Sequence, residues 1–543
     1  MIPIAMPAKR APGRAPGFLR FVRSASLGGF LRAAWLLPLD VAFRVFGLRY
    51  AWLKALFTYG PPGALDFLGR LRAERAAFRA IRRVPAYRRF LRDHHIHADT
   101  AWPLGILHGL PETDKRDYID RYTMRDRCVD GEFTFVGTTI DESSGSTGRP
   151  YDWIRGRRER EIAHRNIGFF ARYIFGPRPL ITINAFSMGA WAAGVNTAQG
   201  MNRHGIVKST GPDLDKIFST LRLLGPDYRF SICGYPPFLK HMVDVGDAEG
   251  FPWSEYELHG LVGGEGMAEG LRDYLLERFA SVYSGYGATD LEVGMAAETP
   301  VSVAVRRLAR ADPDLRTALF GDASRLPMVF QYNPLIHHLE VNHASEVVAT
   351  VSRLDLLSPR IRYNVHDEGG LARFGRISRV LRDHGYDLHR LDRHPSVFGP
   401  HGPLPWTDPV PLPFVWIFGR RDATISVMGA NIYPEDVEAT IYRRPDVAAA
   451  VCSFQLAVLE DASHTPRPGI MLELNEGVTV DDPWREKRAR DIRDGLAALS
   501  RDYRTSLDEY PEAMLPMVET FAPGTGPFTA DQGRIKQRRI VRS

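Results

Sequence analysis

Residues 141–150 read Asp-Glu-Ser-Ser-Gly-Ser-Thr-Gly-Arg-Pro and supply the chemical groups of a phosphate-binding loop. Hydroxyl groups donate hydrogen bonds, glycines let backbone N–H groups approach an anion, and an arginine adds a fixed positive charge. No Gly-Lys-Ser or Gly-Lys-Thr closes it, so it is not a Walker loop. The same residue types also form ordinary surface loops. The loop therefore predicts polyphosphate binding only if the rest of the chain supplies a nucleotide site. The candidate residues are Ser143, Ser144, Gly145, Ser146, Thr147, Gly148 and Arg149.

The composition is that of a soluble globular protein with two or more domains. The chain has 543 residues, of which 44% are apolar and 25% are charged, and this length exceeds what one hydrophobic core usually supports. Its three cysteines, Cys128, Cys233 and Cys452, are far apart and form no CxxC pair. We therefore expect neither a disulfide framework nor a structural zinc site, and a reduced, cytoplasmic setting.

The basic character of the chain lies in its N-terminal arm. Residues 1–60 carry nine basic residues and one acid, Asp40, a net charge of +8, whereas the whole chain carries +6. The main body is thus slightly acidic, which argues against nucleic-acid binding. The arm is also rich in apolar residues, but no uninterrupted run reaches the ~18 needed to span a membrane. We expect helices that pack onto the main domain, with an interfacial helix on an anionic membrane as the alternative.

Apolar runs and helical patterns alternate along the body of the chain. Residues 180–183 and 228–232 predict buried strands, while 157–174 and 213–224 predict helices, as does the amphipathic stretch 64–95. Alternation of this kind favours an α/β architecture with much parallel sheet.

The domain organisation follows from a change in composition. A proline-rich segment at residues 396–413 cannot sustain a helix or a central strand, and a smaller α+β pattern follows it. We expect an N-terminal extension at 1–60, a large domain at 61–420 and a small domain at 421–543, with a hinge near 419–423.

Three further motifs have the residues of a nucleotide site. Residues 261–266, Leu-Val-Gly-Gly-Glu-Gly, predict a strand and turn ahead of a helix, where the glycines let the backbone approach a flat ligand or a ribose. Residues 281–290 combine an aromatic residue, a tight turn, a hydroxyl and a carboxylate, which suit a base, a phosphate and Mg²⁺. Residues 361–367 end in Asp367, which can bind ribose hydroxyls or cap a turn. We expect the neighbouring His366 to be a structural or solvent-facing residue rather than a base.

These motifs occur in an order that resembles the adenylate-forming ligases, within them the phenylacetate–CoA ligase and CapK-like branch. The matching motifs are SSGSTGRP (143–150), GGE (263–265), YGATD (286–290), RYNVHD (362–367), GRRDATISVMGANIYPEDVE (419–438) and GRIK (533–536), with softer echoes at VPAYRRFL (84–91) and LPETDKRD (110–117). The resemblance covers about residues 75–543. It implies a large multi-layer αβ N-terminal domain followed by a small, mobile α+β C-terminal lid domain.

The resemblance also implies roles for individual residues. The loop 143–150 would bind the β and γ phosphates of ATP. The nucleotide would be bordered by Gly263, Gly264, Glu265, Tyr286 and Gly287. Thr289 would contact the α-phosphate and Asp290 would hold Mg²⁺. The ribose would be bound by Asp367 and Arg420, and Asp422 would be the hinge. A basic residue near the C terminus would stabilise charge on the α-phosphorus.

The chain departs from the family pattern at three places. Arg149 stands where the family usually has lysine, which keeps the charge, and Asp290 replaces a glutamate that is one methylene longer. Arg534 follows the terminal Gly533 where the catalytic lysine is usual, and Lys536 lies two residues on. Either Lys536 or Arg534 would therefore occupy the position of the catalytic lysine.

The function that the resemblance implies is AMP-forming ligation of a small-molecule carboxylic acid to CoA, with ATP, Mg²⁺ and CoA required. The acid would be aromatic or otherwise apolar, since the residues at the expected acyl pocket are Phe186, Met188, Trp191, Tyr235 and Pro236. One alternative transfers the acyl group to an amine, a hydroxyl or a carrier protein. Another is a degenerate nucleotide-binding protein held at membranes by residues 1–60.

Overall fold

The computed structural model describes most of the chain. The described residues are 38, 41–42, 45–47, 49–96, 105–143, 151–189, 191–264, 266–267, 269–321, 326–393, 409–420, 425–432, 436–437, 440–441, 444, 447, 450–475 and 477–531. Within them, no helix is both long enough and apolar enough to cross a lipid bilayer.

The helices begin and end at residues that fit those positions. Their bounds are α1 (Tyr50–Tyr59), α2 (Pro62–Arg83), α3 (Pro85–Asp93), α4 (Arg157–Phe175), α5 (Ala192–Met201), α6 (Leu214–Leu224), α7 (Pro236–Ala248), α8 (Glu269–Leu276), α9 (Pro300–Ala311), α10 (Pro313–Phe320), α11 (Phe374–Asp383), α12 (Asp482–Leu499) and α13 (Arg501–Glu509). Several have proline in the first turn, where a missing N–H costs nothing. Helix α4 ends before Gly176, whose φ of 85° few other residues tolerate.

The strands form one large sheet and three small ones. Their bounds are β1 (Thr139–Ser143), β2 (Tyr151–Arg155), β3 (Leu180–Asn184), β4 (Gly205–Ser209), β5 (Arg229–Gly234), β6 (Glu257–Gly263), β7 (Ser281–Ala288), β8 (Glu292–Ala297), β9 (Met328–Tyr332), β10 (His337–Val341), β11 (Glu346–Val351), β12 (Tyr363–Ala372), β13 (Phe414–Arg420), β14 (Ile425–Val427), β15 (Ala430–Ile432), β16 (Val451–Glu460), β17 (Pro466–Leu474) and β18 (Met517–Phe521). The large sheet has the order β10-β11-β12-β13-β9-β8-β7-β6-β5-β3-β4.

The large sheet has a parallel part and an antiparallel part. Strands β4, β3, β5, β6 and β7 pair in parallel, and helices connect them. Strand β3 is buried along its whole length, as expected for a continuous apolar run in a parallel sheet. From β7 to β10 every pairing is antiparallel. The predicted α/β class, the strands at 180–183 and 228–232 and the helices at 157–174 and 213–224 are confirmed, and the parallel order stops at β7.

Helix α1 packs on the large sheet's helical layer, as expected for the end of the N-terminal arm. The rings of Tyr50 and Phe57 lie 5.3 and 5.4 Å from the ring of Phe169 in α4. The guanidinium of Arg172 lies 4.6 Å from the centre of the Tyr50 ring, a favourable cation–π distance. Aromatic packing thus attaches this segment to the body.

The C-terminal part contains two smaller sheets. Strands β14 and β15 form a short hairpin, and β16, β17 and β18 form a three-stranded sheet in which β17 and β18 are parallel. Helix α12 packs on α13, and α13 packs on the β14–β15 hairpin. The hydroxyl of Ser506 donates a hydrogen bond of 3.1 Å to the Met428 carbonyl at the tip of that hairpin. The hairpin and α13 therefore form one packed unit.

Candidate active site

The carboxyl end of β7 and the start of β12 bring two predicted nucleotide residues together. The Tyr286 hydroxyl donates a hydrogen bond of 2.6 Å to an oxygen of Asp367, although the two residues are 81 positions apart in the chain. The Tyr286 ring stacks on Phe330 at 5.5 Å, which fixes its plane. Asp367 pairs in register with Arg420 of β13. Tyr286, expected beside adenine, and Asp367 and Arg420, expected at the ribose, thus lie close together in the sheet.

Gly287 lies where a side chain cannot fit. A Cβ built on it would lie 2.6 Å from the Glu292 carbonyl oxygen and 2.7 Å from the backbone nitrogen of Gly294. Backbone atoms cannot yield as a side chain can, so the close approach of β7 and β8 requires glycine here.

The turn that carries Thr289 and Asp290 is held by two buried arginines. Arg155 donates to the carbonyl oxygens of Thr289 and Leu291, the latter at 2.8 Å. Arg360 donates to the Asp290 carbonyl at 3.2 Å. Charged hydrogen bonds to three consecutive carbonyls restrict the turn's backbone. Sequence reasoning missed both arginines.

Both arginines are anchored by one carboxylate. Glu159 accepts hydrogen bonds of 3.0 Å from Arg155 and 3.1 Å from Arg360. Burial raises the pKa of Glu159 to about 7, against the opposing charge of Arg155. The support beneath the turn is therefore a buried network of charges.

The Asp290 carboxylate has two polar partners. Its Oδ2 atom accepts a hydrogen bond of 3.0 Å from the Tyr363 hydroxyl and lies 3.3 Å from Nζ of Lys115. The Lys115 ammonium also lies 5.3 Å from the centre of the Tyr151 ring. Tyr151 begins β2, directly after the predicted phosphate loop. The Lys115 cation therefore lies between the predicted metal ligand Asp290 and Tyr151, the first residue of β2.

Lys115 was not among the predicted site residues. It lies in the LPETDKRD motif, which showed only a soft resemblance, and that motif was the available signal. Thr113 anchors the segment to β12, since its N–H donates to Arg362 O at 2.9 Å and its carbonyl accepts from Asn364 N at 2.8 Å.

The predicted phosphate loop connects the two strands of a hairpin. Strands β1 and β2 are antiparallel, and the last pair in register is Ser143 with Tyr151. The loop itself lies outside the described residues. So do the other predicted residues of which no contact is described: Ser144, Gly145, Ser146, Thr147, Gly148, Arg149, Glu265, Asp422, Arg534 and Lys536, together with the side chains of Ser143 and Arg420.

Two of the predicted acyl-pocket residues contact each other beside the glycine turn. The rings of Phe186 and Tyr235 lie 5.3 Å apart at 87°. A Cβ on Gly263 would be 3.8 Å from the Phe186 ring, and one on Gly264 would be 2.6 Å from the Tyr235 ring. A Cβ on Gly429 would be 3.0 Å from the same ring. Tyr235 is thus flanked by the nucleotide motif and by the C-terminal hairpin.

The other predicted acyl-pocket residues are less closely grouped. Met188 is 40% exposed, and its sulfur lies near Gly194. Trp191 forms an isolated bridge with Glu142 of β1, and Pro236 is the buried first residue of α7. The described geometry therefore supports Phe186 and Tyr235 as the centre of this region.

The C-terminal unit contacts the acyl region through a polar and an aromatic pair. The Ser187 hydroxyl donates a hydrogen bond of 2.6 Å to Glu509 at the end of α13, and the rings of Phe238 and Tyr510 lie 5.9 Å apart. Burial raises the pKa of Glu509, while the Ser187 hydrogen bond lowers it. No sequence signal pointed to this contact, because its partners are 322 residues apart.

His366 lies between two carboxylates. Its Nε2 is 3.2 Å from Asp114 and its Nδ1 is 3.5 Å from Glu346. The hydrogen bond to Asp114 raises the pKa of His366, against burial. Its φ is 62°, a strained value for a residue with a side chain. The side chain of His366 therefore joins the segment that carries Asp114 to β11, which carries Glu346.

Within the described residues, no group of three or more His, Cys, Asp or Glu side chains could hold a metal ion. Mg²⁺ in nucleotide sites is commonly held by only one or two carboxylates plus substrate phosphates. The buried carboxylate of Asp290 fits that requirement.

Comparisons with known proteins agree with the resemblance seen in the sequence. No protein-family model matches the chain. The phenylacetate-coenzyme A ligase of Escherichia coli (strain K12) is 23% identical over 428 residues, which cover 76% of this chain and 84% of that ligase. The predicted similarity to phenylacetate–CoA ligases is therefore confirmed.

Solved structures share the fold. A 2-hydroxyisobutyryl-CoA ligase, in complex with 2-HIB-AMP and CoA in the thioesterification state, has a TM-score of 0.60 at 15% identity, with 90% of this chain and 91% of that chain covered. The same ligase in the postadenylation state has a TM-score of 0.51 with the same coverage. The chain therefore has the two-domain fold of the adenylate-forming enzymes.

Proposed function

We propose that this chain activates a carboxylic acid with ATP and then transfers the acyl group to CoA. Similarity to a phenylacetate–CoA ligase indicates an enzyme of the AMP-forming acid–thiol ligase type. The observation that carries the proposal is the convergence of Tyr286 with Asp367, and of Asp290 with Lys115, beside the hairpin whose loop has the groups of a phosphate site.

The first step is attack by a carboxylate oxygen on the α-phosphorus of ATP. The bond from that phosphorus to the bridging oxygen breaks, pyrophosphate leaves, and an acyl adenylate forms. In the second step the CoA thiolate attacks the acyl carbon and AMP leaves. Catalysis of the first step consists mostly of positioning and neutralisation of phosphate charge.

The described residues suit that task. Tyr286 would orient Asp367 for the ribose hydroxyls, and Thr289 would contact the α-phosphate from a turn that Arg155 holds. Asp290 would hold Mg²⁺, which when bound neutralises phosphate charge. Lys115 would supply a second positive charge at the same phosphates.

The remaining roles rest on the resemblance. Glu265 and the loop 143–150 would contact the nucleotide, Asp422 would be the hinge, and Lys536 or Arg534 would stabilise the α-phosphorus. That residues 1–60 contact a membrane stays a prediction.

The aromatic centre of the acyl region supports an apolar or aromatic acid. Phe186 is buried and Tyr235 presents its ring between two glycines, so a flat apolar group would find complementary surface there. CoA is the proposed acceptor because the ligases to which the chain is similar are CoA ligases.

The test is acid-dependent release of pyrophosphate. The protein is incubated with ATP, Mg²⁺ and a panel of aromatic, aliphatic and hydroxy acids, with hydroxylamine present to trap acyl adenylates as hydroxamates. We expect pyrophosphate and hydroxamate in equal amounts for at least one acid. No acid-dependent pyrophosphate across the panel would contradict the proposal. Mass spectrometry with CoA or an amine then identifies the acceptor, and an amide formed without CoA turnover would assign the alternative activity.

A further inference from the structure

A cavity of about 80 Å³ lies between helix α1 and the large domain. Its walls come from α1, α2, α4 and the segments that follow β9 and β11. None of the described residues proposed to bind ATP, Mg²⁺ or the acid lines it. The cavity is therefore separate from the described part of the candidate active site, and it includes part of the N-terminal arm whose role the proposed function leaves open.

The charged residues around the cavity are mainly arginines. Among the described residues, Arg72, Arg75, Arg165 and Arg353 line it, against the single acid Asp355. Arg165 and Arg353 have carboxylate partners behind them, at Glu161 and Glu292. Even so, guanidinium groups outnumber carboxylates at the wall, and like charges at partly buried positions repel one another. An anion bound among them would relieve that repulsion.

Among the described residues of the cavity, two buried polar atoms have no hydrogen-bond partner. Nε of Arg353 and Oδ2 of Asp355 are both buried and unpaired, and the Arg353 side chain is only 1% exposed. Nε of Arg353 lies 3.9 Å from the other Asp355 oxygen, which is too far for a hydrogen bond. A buried donor and a buried acceptor thus lie side by side. A ligand that accepts from one and donates to the other would satisfy both.

The rest of the wall is apolar. Leu53 of α1, Ile162 of α4, Ile336 and Leu354 contribute hydrocarbon surface, which favours an organic body over a bare inorganic ion. We propose that the cavity binds a small organic oxyanion that carries a hydroxyl group. The oxyanion meets the arginines and the hydroxyl donates to Asp355. Because Leu53 belongs to the wall, the bound ligand attaches α1 more firmly to the large domain.

The test uses the full-length protein and calorimetric titration with two probes at constant ionic strength. The probes, 2-hydroxybutyrate and glycerol 3-phosphate, distinguish a carboxylate from a phosphate head group. Arg75→Gln removes one cation from the wall, and Ile162→Trp fills the cavity. Arg222→Gln is the matched control, since this arginine is exposed, pairs with Glu249 at 2.9 Å and does not line the cavity.

We expect saturable binding of at least one probe to the wild type and to Arg222→Gln. Arg75→Gln should weaken it by about tenfold, the usual loss for one charged hydrogen bond, and Ile162→Trp should abolish it. Phe186→Ala is included because it would weaken binding of a probe at the predicted acyl pocket but not in the cavity. Absence of saturable binding of either probe at ~10 mM, an affinity too weak to matter at ordinary metabolite levels, would overturn the proposal. So would unchanged binding in both cavity variants, or loss of binding in Phe186→Ala alone. None of these outcomes depends on ligase activity.

Discussion

Replacing Lys115 with methionine tests the charge arrangement of the proposed ATP site. Methionine keeps an unbranched apolar stem beside the Tyr151 ring but removes the ammonium that lies 3.3 Å from Asp290 Oδ2. The two side chains are only 19% and 5% exposed, so solvent screens their interaction weakly. A charged hydrogen bond in such a setting contributes about 1.5–3 kcal/mol, or roughly a tenfold to hundredfold change in a binding constant.

The assay separates the two half-reactions. We expect Lys115→Met to raise KM for ATP in pyrophosphate release by that factor, because the phosphates lose a positive charge. Thioester formation from a synthetic acyl adenylate and CoA should stay unchanged, since no triphosphate is present. Lys115→Arg should recover part of the loss, because it keeps the charge with a different geometry.

Lys216→Met is the matched control, since this exposed lysine pairs with Asp213 at 2.6 Å outside the site. A kcat/KM for ATP within about twofold of the wild type in Lys115→Met, well under 1 kcal/mol, would contradict a role for the Lys115 charge in ATP binding. An equal loss in both half-reactions would also refute it, because that result would indicate general damage to the fold.

Three further predictions concern neighbouring contacts. Tyr286→Phe removes the 2.6 Å hydrogen bond to Asp367 and should weaken AMP binding by about tenfold in a direct titration; unchanged affinity would contradict the role given to this pair. His366→Gln should remove a stabilisation that is present below the ordinary histidine pKa and lost as pH rises through the raised pKa, so urea unfolding should show the wild type losing its advantage as pH rises above the ordinary histidine pKa of about 6.5, whereas a constant difference would contradict it. Ser187→Ala should remove the donor to Glu509 and speed amide hydrogen exchange in α13, while exchange in α4 stays unchanged; equal effects in both helices would refute a local contact.

Local sequence patterns were sufficient to predict individual helices and strands. The apolar run at 180–183 and the amphipathic stretch at 157–174 became β3 and α4, because hydrophobic periodicity reflects how each segment meets its immediate surroundings. The antiparallel part of the sheet was missed, since strand direction depends on pairings between distant segments such as β9 and β13. Those pairings leave no local pattern.

The same distinction applies to the candidate site. Tyr286 and Asp367 were predicted because each lies in a motif, and the structure joins them. Arg155 and Lys115 were missed because their importance comes from contacts with the turn at 289–291, more than a hundred residues away. Most lysines and arginines lie on the surface, so the sequence alone does not show which of them the fold places beside a carbonyl or a carboxylate.

The most direct test of the central claim is the fate of an ¹⁸O label in the carboxylate of an accepted acid. If the carboxylate attacks the α-phosphorus, one labelled oxygen passes to AMP when the acyl group is transferred, and the pyrophosphate stays unlabelled. We predict AMP with a single ¹⁸O in the wild type and no labelled AMP in Asp290→Asn. Label in inorganic phosphate, with ADP as the other product, would contradict the account, because it would show attack at the γ-phosphorus instead.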